Sequence, residues 1–164
     1  MTDPIKLDRT DRRILEVLQE NGRIPNVELA RQVALSPSPC LRRLQRLEEA
    51  GVIDRYAAIL NPARLGLSLL AFVSVSLDKR SEHSTDDFRL AALEWPEVSE
   101  CYAMTGEMDY LLKVMVIDLQ HFSRFVMDKV LRHPGVLDVK SSFALDEIKR
   151  TTVLPIEENE AAAE

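Results

Sequence analysis

The stretch Leu35-Ser36-Pro37-Ser38-Pro39-Cys40-Leu41-Arg42-Arg43-Leu44-Gln45-Arg46-Leu47 decides how the N-terminal part of this chain folds. Ser36 suits an N-cap, because its hydroxyl can accept a hydrogen bond from a free backbone N–H of the first helical turn. Pro37 fits the next position, where a missing N–H costs nothing, and Pro39 still lies within the first turn. Leu41, Leu44 and Leu47 then recur at helical spacing and are expected to face a core. At about 100° per residue, Ser38, Arg42 and Arg46 fall on the opposite face, with Arg43 on its flank. From Ser36 to Arg46 there are three arginines and no acid. A helix with a positive face and small polar residues at its start can enter a DNA major groove. An ordinary amphipathic helix with solvated arginines shows the same pattern, so the neighbouring segments have to decide.

Asp8 can cap a helix running to about Glu20, and Asp11 supplies an acid in its first turn, where the dipole favours one. Ile14, Leu15 and Leu18 form its apolar stripe, and Asn21-Gly22 ends it. Asn26 can cap a short second helix over residues 27–34, with Leu29, Ala30 and Val33 facing inward. Only Ala34-Leu35-Ser36 separates it from the third helix. Three short helices with so tight a second turn make a helix-turn-helix. Beyond Gly51, a candidate C′ residue, residues 52–60 are strand-like and predict a winged variant.

The second half is a doubled unit. Residues 69–77 read as a strand, 85–95 as a helix with Phe88, Ala91, Ala92 and Trp95 at helical spacing, and 99–104 as a strand. Residues 110–117 then read as a strand and 119–132 as a helix with Phe122, Phe125, Val126 and Val130 inward. Residues 137–145 form the last strand. Pro96-Glu97-Val98 and Pro134-Gly135-Val136 introduce the closing strand of each half. This βαββαβ order is the ferredoxin-like arrangement. The fold class expected is therefore α+β: a winged helix-turn-helix over residues 1–61, a ferredoxin-like domain over 62–155, and an acidic tail over 156–164. Two helices cover one face of a four-stranded sheet and leave the other open. Because the strands are nearly continuous apolar runs, that face is sticky, and a second copy related by a two-fold axis is the economical cover. Paired recognition helices then read a pseudo-palindromic operator, with half-sites about one helical turn or a multiple apart.

Charge distribution fits this division. The net charge is −6 over 164 residues, yet residues 1–60 carry ten Lys or Arg against nine Asp or Glu, leaving the excess of acid in the second half. The positive charge that meets phosphate is concentrated on one helix. With 46% hydrophobic residues the chain can bury real cores, and no apolar run reaches the roughly 18 residues of a membrane span. The polar start Met1-Thr2-Asp3-Pro4 carries no leader signature. Cys40 and Cys101 are too far apart for metal or redox spacing and are expected to be buried small hydrophobes in a reducing compartment.

Several motifs resemble the Lrp/AsnC (leucine-responsive, or feast/famine) transcriptional regulators. They are Leu7-Asp8-Arg9-Thr10-Asp11, Asn21-Gly22-Arg23, Asn26-Val27-Glu28-Leu29, residues 35–43, and Leu47-Glu48-Glu49-Ala50-Gly51-Val52-Ile53, together with Thr105-Gly106-Glu107-Met108-Asp109-Tyr110-Leu111-Leu112. The resemblance covers roughly residues 5–155. Ala34 departs from it, since relatives often carry Gly in that turn; at positive φ an alanine costs about 1 kcal/mol. The resemblance implies a cytoplasmic, nucleoid-associated bacterial or archaeal regulator that forms dimers and octamers, prefers an A·T-rich operator centre, needs no cofactor or metal, and binds a small amino acid at a dimer–dimer interface.

On this reading Ser38 and Arg42 contact base edges, Ser36 and Arg43 lie on phosphate or flank, and Arg46 meets phosphate. The effector loop follows from the same resemblance. Backbone N–H groups around Thr105 and Gly106 can hold a carboxylate, and Glu107 or Asp109 an ammonium, beside Tyr110. Met104 and Leu119 supply apolar contact, with Ser141, Ser142 and Phe143 as further candidates. An apolar effector such as leucine or methionine is expected. A turn of this composition is also what any hairpin uses. As for other classes, His83, His121 and His133 lack zinc spacing, and no nucleophile elbow, phosphate loop or dinucleotide fingerprint occurs, so an enzyme is not expected. A metabolite-sensing accessory subunit without specific DNA binding is the main alternative, and sequence-specific DNA retention at physiological salt separates the two. An RNA-binding sheet is disfavoured by the 5% aromatic content.

Overall fold

The computed structural model describes residues 6–78 and 84–156. The acidic tail from Glu157 lies outside the described residues. The chain divides between Ile59 and Leu60 into two compact units, and the segment from Lys149 belongs to the first, whereas sequence pattern alone places residues 149–155 with the second.

The first unit contains α1 (Arg9–Glu20), α2 (Asn26–Gln32) and α3 (Pro37–Glu49). Asp8 starts α1 through a capping box: its carboxylate accepts the Asp11 N–H at 2.8 Å, and the Asp8 N–H donates to Asp11 Oδ2 at 3.1 Å. Ile14, Leu29, Cys40 and Leu47 are fully buried in the core between the helices, with Ala30 beside them. Leu41, expected inward, is instead 43% exposed. Cys40, Leu44 and Leu47 follow the i, i+4, i+7 spacing of a helix face, and the phase of α3 brings the smaller Cys40 into the core. Pro25, not Asn26, occupies the N-cap of α2, so Asn26 is the first helical residue. The segment from Lys149 is fastened to α1 by a reciprocal amide pair. Leu154 N–H donates to Gln19 Oε1 at 2.5 Å, Gln19 Nε2 donates to the Leu154 carbonyl at 3.1 Å, and Ile156 packs on the core.

Both ends of the helix-turn-helix close with Schellman bonding. After α2, the Leu35 N–H reaches the Ala30 carbonyl at 2.8 Å and the Ala34 N–H the Arg31 carbonyl at 3.2 Å. After α3, the Val52 N–H reaches Leu47 at 3.0 Å and the Gly51 N–H reaches Glu48 at 2.9 Å. The left-handed residue is Gly51 (φ 68°) in one case and Ala34 (φ 55°) in the other. Residues 52–60 form no strand in the single chain. A ladder needs a partner strand, and none runs beside this segment among the described residues. Tyr56 anchors it by donating to Glu48 Oε1 at 2.8 Å; burial and the Glu48 carboxylate push its hydroxyl pKa up to about 12.

The second unit runs β1 (Leu69–Leu77), α4 (Ser84–Glu94), β2 (Val98–Ala103), β3 (Tyr110–Val116), α5 (Leu119–Phe125) and β4 (Val136–Phe143). The sheet is antiparallel with order β2-β3-β1-β4, the ferredoxin-like topology expected. Ala71, Val73, Val75 and Leu77 of β1 and Tyr110, Leu112, Val114 and Val116 of β3 form the core under the helices with Phe88, Phe122, Phe125 and Val130. The opposite face is more mixed than an apolar run implies. Cross-strand register places Leu70, Phe72, Leu111 and Met115 there with Ser74, Tyr102 and the ion pair Lys113–Glu100 (2.8 Å). The second helix does not stay α-helical to residue 132, because a π turn over Val126–Val130 interrupts it. Cys101, expected to be buried, is exposed, because it lies on β2 at the edge of the sheet.

The strain at Ala34 gives a direct expectation. Ala34→Gly removes the Cβ penalty of the left-handed turn and should stabilise the protein by about 1 kcal/mol. A urea titration should show a higher midpoint with an unchanged slope.

Candidate nucleic-acid interface and effector loop

The outward face of α3 begins at Ser36, the N-cap residue, which makes no side-chain cap bond. The expected capping hydrogen bond is thus absent, and the Ser36 hydroxyl stays on the exposed surface beside Ser38. One turn on, Arg42 is exposed as well. The other two arginines behave differently. Arg43 Nη1 lies 2.6 Å from Asp8 Oδ2 and 2.8 Å from Asp11 Oδ1, while Arg46 Nη2 bonds Asp11 Oδ2. Asp11 is completely buried. The pattern of α3 alone groups all three arginines on or beside one solvated face; the structure instead ties Arg43 and Arg46 to the first turn of α1. Each keeps part of its side chain in solvent, 33% for Arg43 and 50% for Arg46. Charge-assisted hydrogen bonds of this kind fix a guanidinium plane as well as attract it. The Asp11 N–H has the largest effect on the Asp8 carboxyl and, together with the Arg43 guanidinium, holds it below its ordinary pKa against the opposing effect of burial; the Asp8 and Asp11 carboxylates in turn raise Arg43.

Sequence reasoning missed Asn26. Its Nδ2 donates to the carbonyl of Pro37 at 2.9 Å, joining the start of α2 to the start of α3. The amide oxygen of the same side chain is buried and has no partner. A side chain read only as a helix cap gives no signal of such a cross-helix bond.

The loop between β2 and β3 is closed by its own backbone. The Met104 N–H donates to the Asp109 carbonyl at 2.9 Å, and Gly106 takes a φ of 105°, which only glycine adopts readily. Thr105, Gly106 and Glu107 are exposed, and Met104 is 40% exposed. Asp109, one of two acids offered for an ammonium, has structural work: its Oδ2 accepts the Leu77 N–H at 2.8 Å, and its own N–H donates to the Val75 carbonyl at 3.0 Å. Tyr110 is turned into the core, its ring 4.9 Å from that of Phe88.

A single chain does not gather the remaining candidates beside this loop. Strand register puts Phe143 opposite Ala71 and Ser141 opposite Val73, whereas the loop meets β1 at Val75–Leu77. Ser142 pairs with Phe72 and so points to the opposite face of the sheet from Ser141 and Phe143. Leu119 opens α5, after the far end of β3, and is 61% exposed. Phe143 packs on Phe122, ring centroids 4.9 Å apart.

A helix-turn-helix with an exposed polar and cationic recognition face, joined in one chain to a ferredoxin-like sheet with a built turn, defines a DNA-binding regulator with a separate sensor unit. Residues 7–54 match the winged helix-turn-helix DNA-binding family, and residues 70–154 match the Lrp/AsnC ligand binding domain. The leucine-responsive regulatory proteins of Salmonella typhimurium and Escherichia coli are each 43% identical over 150 residues, 92% of both chains. A Neisseria meningitidis transcriptional regulator solved as its L-Met complex superposes with a TM-score of 0.89 at 55% identity, covering 92% of this chain and 97% of that one. An AsnC family regulator from Agrobacterium tumefaciens gives 0.86 at 40% identity, covering 91% and 97%.

The chain belongs to the Lrp/AsnC family of transcriptional regulators. It is a ligand-responsive DNA-binding protein and not an enzyme. No helix among the described residues is long and apolar enough to cross a membrane.

The lowered Asp8 pKa fixes the sign of a pH effect. A carboxyl whose folded pKa lies below its unfolded value of about 3.9 contributes stability above that value and loses it as pH falls through the folded pKa. Asp8→Asn keeps a competent N-cap but loses the charge facing Arg43. Its urea midpoint should lie below that of the parent at pH 7, and the gap should close as acid protonates Asp8.

Proposed function

We propose that the protein acts as a homo-oligomer whose paired α3 helices read a pseudo-palindromic operator. Ser38 and Arg42 contact base edges, Ser36 lies by the phosphate at the helix start, and the solvent-facing parts of Arg43 and Arg46 add phosphate contact. The observation that carries this assignment is the division of labour among the arginines: Arg42 is exposed, while Arg43 and Arg46 are oriented by the buried Asp11. The open sheet face, with Leu70, Phe72, Leu111 and Met115, is the surface on which two copies pack. Assembly beyond the dimer, to an octamer, follows the family expectation, as does action in the cytoplasm on nucleoid DNA.

The effector is an amino acid with an apolar side chain, methionine or leucine, bound beside Thr105, Gly106 and Glu107. The exposed, glycine-containing turn and the L-Met complex of the Neisseria meningitidis regulator support methionine; the leucine-responsive names of the other relatives keep leucine in play. Glu107 is the better partner for the ammonium, because Asp109 is committed to the Leu77 N–H. Met104 lines the site from the same loop. Leu119, Ser141, Ser142 and Phe143 contribute from another subunit, since one chain holds them away from the loop. Tyr110 supports the turn from the core. An effector that binds one assembly state more tightly shifts the population toward it and so changes the spacing of the recognition helices; equal affinity for all states changes nothing.

Arg42→Ala should weaken operator binding by about 1–3 kcal/mol and loosen preference at one base position of each half-site, as read by footprinting and competition binding. Unchanged affinity and preference would remove Arg42 from the reading role. Titration calorimetry of the apo protein should show heat with methionine or leucine, and Glu107→Gln should diminish it. Silence with every common amino acid would leave the turn purely structural.

A further inference from the structure

The first turn of α3 is short of local fastenings. Ser36 makes no capping bond, and the turn's backbone is tied in by the ordinary first helical bond, the Cys40 N–H on the Ser36 carbonyl at 3.2 Å. The later turns are held firmly by Arg43 and Arg46 on Asp11, by the buried Leu47, and by the Schellman bonds at Gly51. Yet the first turn carries Ser36 and Ser38 and leads directly to Arg42. Its side-chain fastening to a neighbouring helix is Asn26 Nδ2 on the Pro37 carbonyl. The orientation of that amide is dictated by its partner, since a carbonyl can only accept. The choice leaves Asn26 Oδ1 buried without a donor. Such a group calls for an explanation, and the bond to Pro37 supplies it: the amide is turned so as to donate there.

We infer that Asn26 is a positioning residue for DNA recognition: its side-chain amide sets the register of the first turn of α3 against α2, and thereby the reach of Ser38 and Arg42 toward the bases. It acts through Pro37 and touches no base itself. Loss of the amide frees the first turn and blurs sequence preference, while the arginines that supply non-specific attraction to phosphate stay where they are. This assignment rests on the reading of α3 as the base-reading helix.

The test uses the full chain. Duplexes selected by the unsubstituted protein from a random pool provide the operator, and a scrambled duplex of equal length provides the non-specific reference. Asn26→Ala removes the amide; Asn26→Leu keeps about its volume and carries the test if the alanine variant does not fold. Affinity for the selected duplex should fall about three- to tenfold, the range expected for one hydrogen bond. Base preference should flatten at the positions facing Ser38 and Arg42, and affinity for the scrambled duplex should hold. Equal losses on both duplexes, which a general loss of stability produces, overturn the assignment. So does a variant that selects the same motif as sharply as its parent. Failure of the unsubstituted protein to select any sequence overturns the reading of α3 itself, an outcome distinct from failure of Asn26 alone.

Discussion

Asp11 has no exposed surface and receives the Asp8 N–H and the guanidinium groups of Arg43 and Arg46. A buried carboxylate is tolerated only when its lone pairs are met by donors, so this one residue dictates where α3 can lie against α1. Removing one partner leaves the buried carboxylate with fewer donors than its lone pairs require, so the set acts as a unit. The same attraction that steadies the helix also takes charge out of the solvated face. What remains exposed outside this network is a small, defined set: the serines of the first turn and Arg42. The three-helix unit therefore trades free positive charge for a fixed geometry, and geometry is what distinguishes base readout from phosphate attraction.

The sensor unit solves a related problem with an acid of its own. Asp109 joins the hairpin tip to the end of β1 through the Leu77 N–H, while the backbone of Met104 closes the turn on the Asp109 carbonyl. The exposed residues between them, Thr105 to Glu107, thus sit on a hydrogen-bonded base, and Gly106 supplies the one backbone conformation the turn requires. Rigid presentation of a loop is what allows a few polar atoms to select a ligand.

Much of this was legible in the residues. The limits of α1 follow from Asp8 and Asn21 as caps, and the β1 range follows from an apolar, β-branched run that the structure reproduces as Leu69–Leu77. The doubled strand–helix–strand pattern sufficed for the topology. What escaped was tertiary. The pairing of Asp8 and Asp11 with Arg43 and Arg46 spans more than thirty positions, and a helical wheel drawn for α3 alone sees only arginines opposite leucines. Leu41 and Cys40 compete for the same stripe, and only the packing of α2 on α3 settles which enters. Residues 52–60 have strand composition, but composition cannot supply the partner a ladder needs. The candidate site was legible to the same extent: the residues of the first turn of α3 and of the Gly106 turn lie on the surface, as their polar character implies, whereas Tyr110 and Asp109 are drawn into the fold.

The π turn after α5 shows how one added residue reconciles the two demands on that helix. Phe122 and Phe125 set a buried stripe that regular α-helical spacing would continue at residue 129, which is a lysine. The Leu131 N–H instead reaches back to the Val126 carbonyl at 2.9 Å, one residue further than in an α-helix, and Val130 becomes the buried position. Lys129 is released to the side. There its ammonium bonds both oxygens of Glu97, at 2.7 and 2.8 Å, and lies 5.9 Å from the Phe125 ring centroid. Lys129 holds the Glu97 carboxyl below its ordinary pKa despite the opposing and larger single effect of burial. Glu97 immediately precedes β2, the strand that ends at the Gly106 turn, and its carbonyl accepts the Met115 N–H of β3 at 2.9 Å. The irregularity in the helix thus fastens the hairpin at its base, leaving the Gly106 turn exposed at its tip.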